Sequence, residues 1–418
     1  MKTKILSDKD LPDAVKILKA GGVMAVPTET VYGLAASMFI PSAVCSLFKV
    51  KRRVHSKPLT VHISSFEEIF DLTKDLTDIA KNLAKAFWPG PLTMVLPKSA
   101  LVSEIVTAGS DFVGVRFPSH RIANAIIKCV GSPLVISSAN ISGGFSSTTA
   151  SHVAGDFSGK IDAILDAGES PLGLESTVIL LNNNERKILR YGAIEKQEIE
   201  KITGKLRSDG KLFYVSEQKF SSCAAEKQEV KKIAEKLYSN EEPLNISEQK
   251  FSSRGAVEGQ EIKKIAGELR SDEELFNLSR QEFSGCAAKK QEIKKIAERF
   301  YQNEKFSNKY GDFYTKTEFI LVRSGTELSY ADFVNSKAHI PSVAALCYDD
   351  DMANVEILSV SYGPKGDSSS QFKKLFSAFR ELDLNKKITI VYVRCEPNYS
   401  SEAIFNKVLG FCSRSVSF

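Results

Sequence analysis

Pro27-Thr28-Glu29-Thr30-Val31-Tyr32-Gly33-Leu34 follows directly on the short apolar run at residues 23–26. The run predicts a strand and the octet a polar turn. Two threonine hydroxyls, a carboxylate and a phenol precede Gly33, where a residue without Cβ lets the backbone swing away. Alone, such a turn is an ordinary loop. Lys51, Arg53 and Lys57 come soon after it, however, and Ser137-Ser138-Ala139-Asn140 ends a later apolar run. A polar turn, a cationic cluster and a Ser/Asn turn together point to a site for a small, anionic, nucleotide-like ligand.

Outward from the octet, Leu11, Ala14, Val15 and Leu18 recur at helical spacing, and Gly21-Gly22 stops that helix. Residues 41–48 read as a short helix that delivers Lys49-Val50-Lys51-Arg52-Arg53-Val54-His55-Ser56-Lys57-Pro58. Residues 59–63 read as a strand with Thr60 and His62 on one face, because side chains alternate along a strand. Ser65 and Glu68 have capping-box spacing. An apolar face through Leu76, Ile79, Ala80, Leu83, Ala84 and Phe87 then predicts a helix from Ser65 to the break at Trp88-Pro89-Gly90-Pro91. Further strands are predicted at 93–96, 113–117, 134–137, 161–165, 177–181 and 187–189. Strands with interspersed helices predict a mixed, twisted α/β sheet domain over residues 1–206.

Gln197, Gln228, Gln260 and Gln291 sit in four similar segments, each with one apolar stripe such as Val230, Ile233, Ala234, Leu237 and Tyr238. A period near 30 reads either as a solenoid or as a tandem duplication that lengthened a linker. The first copy already completes the preceding domain, which favours duplication. Residues 207–316 are therefore expected to form a linker with helical repeats. Beyond it, β-like runs at 319–322, 343–347, 355–359 and 388–393 alternate with helical stretches at 371–382 and 401–410. This predicts a small Rossmann-like α/β domain over 317–418.

The 418 residues suit two or three domains of ordinary size, and 43% apolar with 26% charged residues is the balance of a globular protein. A net charge of +5 permits contact with nucleic acid without arguing for it. Seven cysteines without a Cys-x-x-Cys pair argue against a disulfide framework or structural zinc. The start lacks an apolar signal core, and no apolar run approaches a membrane span, so a cytoplasmic location without membrane contact is expected.

Within this frame, Lys51, Arg52, Arg53 and Lys57 read either as a solvated surface or as cations fixed by Pro58 and the strand after it. A phosphate needs fixed cations: Arg forks onto two oxygens, and Lys acts as a point charge. His62 alternates with apolar residues, a pattern more often structural than catalytic. There is no P-loop run and no metal-ligand cluster. Ser138 and Asn140 end a buried strand, where ligand groups collect in α/β sheets. Arg116 inside a strand is costly unless it meets an anion. Ser176 and Arg190 repeat the theme of polar groups on apolar strands.

Residues 5–206 resemble the YrdC/Sua5 family of threonylcarbamoyl-AMP synthases. The resemblance is carried by the opening octet, Lys51-Arg52-Arg53, Lys57-Pro58-Leu59-Thr60-Val61-His62, Trp88-Pro89-Gly90-Pro91-Leu92-Thr93, Arg116-Phe117-Pro118, Ser138-Ala139-Asn140, Glu175-Ser176-Thr177-Val178 and Leu189-Arg190-Tyr191-Gly192-Ala193-Ile194. The long C-terminal part is similar to the two-domain Sua5 type, most clearly at Phe376-Ser377-Ala378-Phe379-Arg380-Glu381-Leu382-Asp383. The family signature falls on Lys51, Arg53, Ser138 and Asn140, the implied catalytic set. The resemblance implies that Thr30, Tyr32, His62, Arg116, Ser138 and Ser176 face L-threonine. It implies that Arg53, Lys57, Asn140, Thr148 and Arg190 contact the nucleotide, with the assignments around Ser138 open to exchange. A His-Tyr-x-Pro element that folds over the site in the family is matched only by Phe313-Tyr314-Thr315-Lys316, which leaves Tyr314 as its counterpart.

The implied activity joins L-threonine, bicarbonate or CO2, and ATP into threonylcarbamoyl-AMP and pyrophosphate, a nucleotidyl transfer with Mg2+ escorting the triphosphate. The product would feed threonylcarbamoylation of tRNA, completed by a separate threonylcarbamoyl transferase complex. The alternative is a module that grips double-stranded RNA or tRNA through Lys51, Arg53 and Lys57 without synthase activity.

Overall fold

The computed structural model describes residues 2–182, 185–206, 315–323 and 329–417. The repeat segments beyond residue 206 and Tyr314 lie outside the described residues.

In chain order the N-terminal strands are β1 (Lys4–Leu6), β2 (Met24–Val26), β3 (Gly33–Ser37), β4 (Thr60–His62), β5 (Leu92–Pro97), β6 (Phe112–Arg116), β7 (Leu134–Ser138), β8 (Ala163–Leu165), β9 (Thr177–Leu181) and β10 (Arg186–Arg190). They form one sheet in the order β1-β8-β2-β3-β7-β4-β6-β5-β9-β10. Parallel pairs (β1 with β8, β4 with β6, β5 with β9) alternate with antiparallel ones (β3 with β7, β4 with β7, β5 with β6), so the mixed α/β expectation holds.

Period-two alternation sorts the side chains between two faces. Ala25, Leu34, Ala36, Val61, Met94, Val115 and Val135 share one core with the helices Pro41–Lys51 and Asp78–Phe87. Met24, Val26, Ala35, Leu134 and Ile136 face the other way, onto the helices Leu11–Lys19 and Arg121–Val130. Beyond β7 this second face changes character. Thr60 and His62 flank Val61, Arg116 follows Val115, and Thr93 precedes Met94. The same alternation that builds the core therefore collects polar strand residues on one side of β4, β6 and β5.

Several expectations shift. The helix predicted from Ser65 is broken: Glu68 accepts the Ser64 and Ser65 amides at 3.0 Å each, but the first helix covers only Ile69–Leu72. Asp75 takes a positive φ of 47°, and Thr77 caps a second helix, Asp78–Phe87. The apolar periodicity ran across that interruption and hid it. Gly33 has no positive φ. It begins β3, and a Cβ there would lie 2.3 Å from Ile136 Cγ2, so the glycine answers to cross-strand packing rather than to a turn.

A second sheet contains β11 (Glu318–Arg323), β12 (Val343–Cys347), β13 (Ser359–Ser361), β14 (Ile390–Arg394) and β15 (Arg414–Ser417), ordered β13-β12-β14-β11-β15 and parallel throughout. The strand expected at 355–359 lies later, at β13, because Asp349–Asn354 forms a 3-10 turn first. The strands β1, β3 and β15 were not anticipated. Helices Ser368–Leu384 and Glu402–Phe411 cover this sheet. Its aromatic core takes in Val31, Phe145 and Leu174 from the N-terminal part. Gly173 permits the approach: with φ at +70°, it lies so near the helix that a Cβ would meet Lys373 Cα at 2.6 Å.

Candidate active site

The Lys-x-Arg spacing is the end of a helix. Pro41–Lys51 stops where Arg52 enters the left-handed region, with φ 51°. The Arg52 amide donates to Lys49 O at 3.1 Å and the Arg53 amide to Phe48 O at 3.0 Å, the paired bonds of a Schellman stop. Lys51 thereby points inward and Arg53 starts the next loop.

Lys51 is 1% exposed. Its ammonium donates to Asn140 O at 3.0 Å and also to Ser138 O. Burial, reinforced by the nearby Arg53 charge, holds its pKa well below the usual lysine value. Lys51 thus sits behind the Ser138–Asn140 turn and ties its carbonyls. Within that turn, Ser138 Oγ donates to Asn140 Oδ1 at 2.6 Å, and Asn140 Nδ2 donates to Ile141 O and Gly144 O. Arg53 grips the loop leading into β4, donating through Nε to Lys57 O at 3.1 Å and through Nη2 to Pro58 O at 2.8 Å.

A second group lies on the polar face. Arg116 and Glu29 form a buried ion pair at 2.7 Å, and Arg116 Nε also donates to Gly90 O at 3.3 Å. The anion that a strand arginine requires is therefore internal. Burial alone would raise the Glu29 carboxyl, but the Arg116 charge and hydrogen bond outweigh it and hold it below the usual value. His62 pairs in register with Arg116. Burial, and then the Arg116 charge, push the His62 imidazole down to about 3, so it is neutral at ordinary pH. With Nδ1 on the Thr60 carbonyl at 3.3 Å, Nδ1 carries the proton and Nε2 is left as an acceptor. Next to them, Thr93 Oγ1 and Ser176 Oγ lie 2.8 Å apart, and Arg190 Nη2 donates to Ser176 Oγ at 2.9 Å and to Ser176 O at 2.8 Å. Gly114 sits between Thr93 and Thr60 and keeps the floor free of a side chain.

The opening octet links the two groups. Thr28 and Thr30 hydroxyls lie 2.8 Å apart, both buried. Tyr32 is fully buried; its hydroxyl donates to Gly168 O at 2.7 Å and accepts from the Ala167 amide, and burial pushes its pKa up to about 12. Its phenol is therefore engaged by the 167–168 loop instead of facing an amino acid. Register sets the separation: β7 runs antiparallel to β4, with Thr60 opposite Ile136 and His62 opposite Leu134. Ser138 thus lies two residues ahead of β4 and His62 at its end, so the two are four residues apart along β7, about 13 Å at about 3.3 Å per residue. Thr148 is buried, 3.4 Å from both His152 Nδ1 and Ser377 Oγ.

Sequence reasoning missed Glu29, Thr93 and Glu175 as partners, although all three stood inside quoted motifs. Glu175 accepts Ser146 Oγ at 2.8 Å and pairs with Lys407 at 3.0 Å. Burial opposes its ionisation, yet the Lys407 and Arg190 charges hold its carboxyl below the usual value. Among the described residues, no group of three or more His, Cys, Asp or Glu side chains could hold a metal ion, and no helix is long and apolar enough to cross a membrane.

The family model for the Sua5/YciO/YrdC group, described as "Telomere recombination", matches residues 16–192. The chain is 47% identical over 194 residues to the threonylcarbamoyl-AMP synthase of Pyrococcus abyssi, covering 46% of this chain and 57% of that protein. It is 40% identical over 216 residues to the synthase of Bacillus subtilis, covering 51% and 62%. The matches thus span little more than half the length of these relatives. A Mycobacterium tuberculosis relative is 32% identical over 196 residues, covering 47% of this chain and 90% of the relative. Among solved structures, P. abyssi Sua5 complexed with L-threonine aligns with a TM-score of 0.69 at 26% identity, covering 100% of both chains.

Proposed function

The chain belongs to the Sua5/YciO/YrdC family, and from that membership we propose that it is an L-threonylcarbamoyladenylate synthase. One observation carries the reading. A single polar sheet face holds two neighbourhoods about 13 Å apart along β7: a buried Arg116–Glu29–His62–Ser176 group, and the Ser138–Asn140 turn braced by Lys51 and flanked by Arg53. The first suits a small zwitterion with a hydroxyl, the second a nucleotide. A relative solved in complex with L-threonine supports threonine as the small zwitterion.

On this reading Thr30, His62, Arg116 and Ser176 receive threonine, while Arg53, Lys57, Asn140, Thr148 and Arg190 receive ATP. The threonine amine loses a proton as it takes up CO2 to become a carbamate. A carbamate oxygen then attacks the α-phosphorus, the bond from that phosphorus to its bridging oxygen breaks, and pyrophosphate leaves. Positioning and charge stabilisation suffice for such a transfer. Neutral His62 serves as an acceptor rather than a cation. Magnesium enters as the counter-ion of substrate ATP, because Glu29 and Glu175 are already engaged by Arg116 and Lys407. The product serves tRNA threonylcarbamoylation by a separate transferase. Lys51, buried beneath its turn, is not available to the outward basic run that a duplex-RNA module needs.

The purified chain, given ATP and magnesium with and without L-threonine and bicarbonate, should release pyrophosphate only when both are present. Release that ignores either addition would sink the synthase reading. Arg53→Ala should abolish the release.

A further inference from the structure

The Phe376–Asp383 motif of the C-terminal sheet domain has no part in the reading above, yet it reaches the site. We propose that Arg380 is a positioning residue for the N-terminal site, fixing the Ser138–Asn140 turn through Ser147. This rests on the synthase reading.

The 141–149 segment joins β7 to the helix Ala150–Phe157 and has no regular structure of its own. Of its two large apolar residues, Ile141 packs against the N-terminal core and Phe145 does not. The ring lies among Phe319, Phe379 and Phe411, with centroids 5.7, 5.2 and 4.8 Å away. The middle of the segment is thus anchored from the other domain, and Arg380 completes the anchor. Its Nη2 donates to Phe145 O, to Ser147 Oγ at 3.1 Å and to Asp156 Oδ2 at 2.9 Å. Ser147 passes the constraint on. Its Oγ donates to Ala139 O, between Ser138 and Asn140, and its carbonyl accepts the Tyr32 amide at 2.8 Å. The Ala139 amide closes the circuit on Tyr32 O at 2.7 Å. One buried guanidinium therefore ties the C-terminal helix to both the Ser/Asn turn and the opening octet. The Arg116–Glu29 ion pair makes no bond within this circuit, so although Glu29 and Thr30 belong to the tied octet, the nucleotide half should depend on Arg380 more strongly than the threonine half.

The full chain carrying Arg380→Ala should show an ATP KM raised by up to ~100-fold, the scale of an ångström-sized misplacement. L-Threonine affinity, titrated without ATP, should change by a much smaller factor. Arg380→Lys keeps a charge for Asp156 but loses the fork, so it should restore thermal stability without restoring ATP KM. Ser147→Ala removes only the relay and should move ATP KM in the same direction, which keeps the test open if Arg380→Ala fails to fold. Amide exchange should quicken at residues 139–148 in Arg380→Ala and Ser147→Ala. Unchanged ATP KM with unchanged exchange, or equal losses for both substrates, would overturn the proposal. If the wild type releases no threonine-dependent pyrophosphate, the synthase reading falls, while the exchange data still decide the role of Arg380.

Discussion

Arg116 and Glu29 lie 2.7 Å apart, the arginine side chain 6% and the glutamate 8% exposed, across the polar face of the N-terminal sheet. Each makes the other tolerable in a position where neither alone would be. Breaking a buried pair leaves an uncompensated charge and costs about 3–5 kcal/mol. Glu29→Gln should therefore lower the denaturation midpoint more than a surface Glu→Gln substitution does; an equal shift would show that the pair contributes nothing net.

The same pair sets an acid limit. The Glu29 carboxyl titrates below its ordinary value in the folded state. Its stabilisation is present above the ordinary carboxylate pKa and is lost as pH falls through the folded one. The wild type should lose stability on acidification below about pH 4.5, and Glu29→Gln should flatten that part of the profile. A parallel profile in the variant would count against Glu29 as the group responsible.

His62 acts in a higher window. Its folded pKa is near 3 against an ordinary 6.5. The unfolded chain then binds the extra proton below pH 6.5, so stability falls as pH drops from there towards 3. The penalty is about 2 kcal/mol at pH 5. His62→Gln should remove that slope between pH 6.5 and 4. Between pH 7 and 9 the wild-type rate should show no inflection from this residue.

Arg52 ends its helix with φ 51°, a conformation that favours glycine. Arg52→Gly should stabilise the fold by ~1 kcal/mol, read as a raised denaturation midpoint with an unchanged slope. A lowered midpoint would mean that the Arg52 side chain contributes more than its backbone costs.

Gly33→Ala should do the reverse. The new Cβ would fall 2.3 Å from Ile136 Cγ2 in the middle of the sheet. Overpacking of that kind costs about 1–3 kcal/mol. It should also disturb Ser138, which pairs in register with Gly33. A variant as stable and as active as wild type would show that β3 and β7 yield there.

Local chemistry was enough to read the α/β alternation in both parts of the chain and the polar residues on apolar strands. Hydrophobic period, turn residues and motif spacing all lie within a few neighbours, and one chain displays them. Partnerships are not local. That Arg116 meets Glu29, 87 residues away, depends on which strands pair. So does the turning of Lys51 onto the carbonyls beyond β7, and of Tyr32 onto Gly168, where each side chain had read as open to ligand. The break at Thr77 and the packing role of Gly33 were likewise hidden, since periodicity does not register a cap and a glycine does not name the atom that fills its Cβ site. Only the tertiary structure decided that Phe145 leaves its own domain and that Arg380 reaches into the site, because burial of an aromatic ring and pairing of a guanidinium are settled by what the folded chain brings within contact.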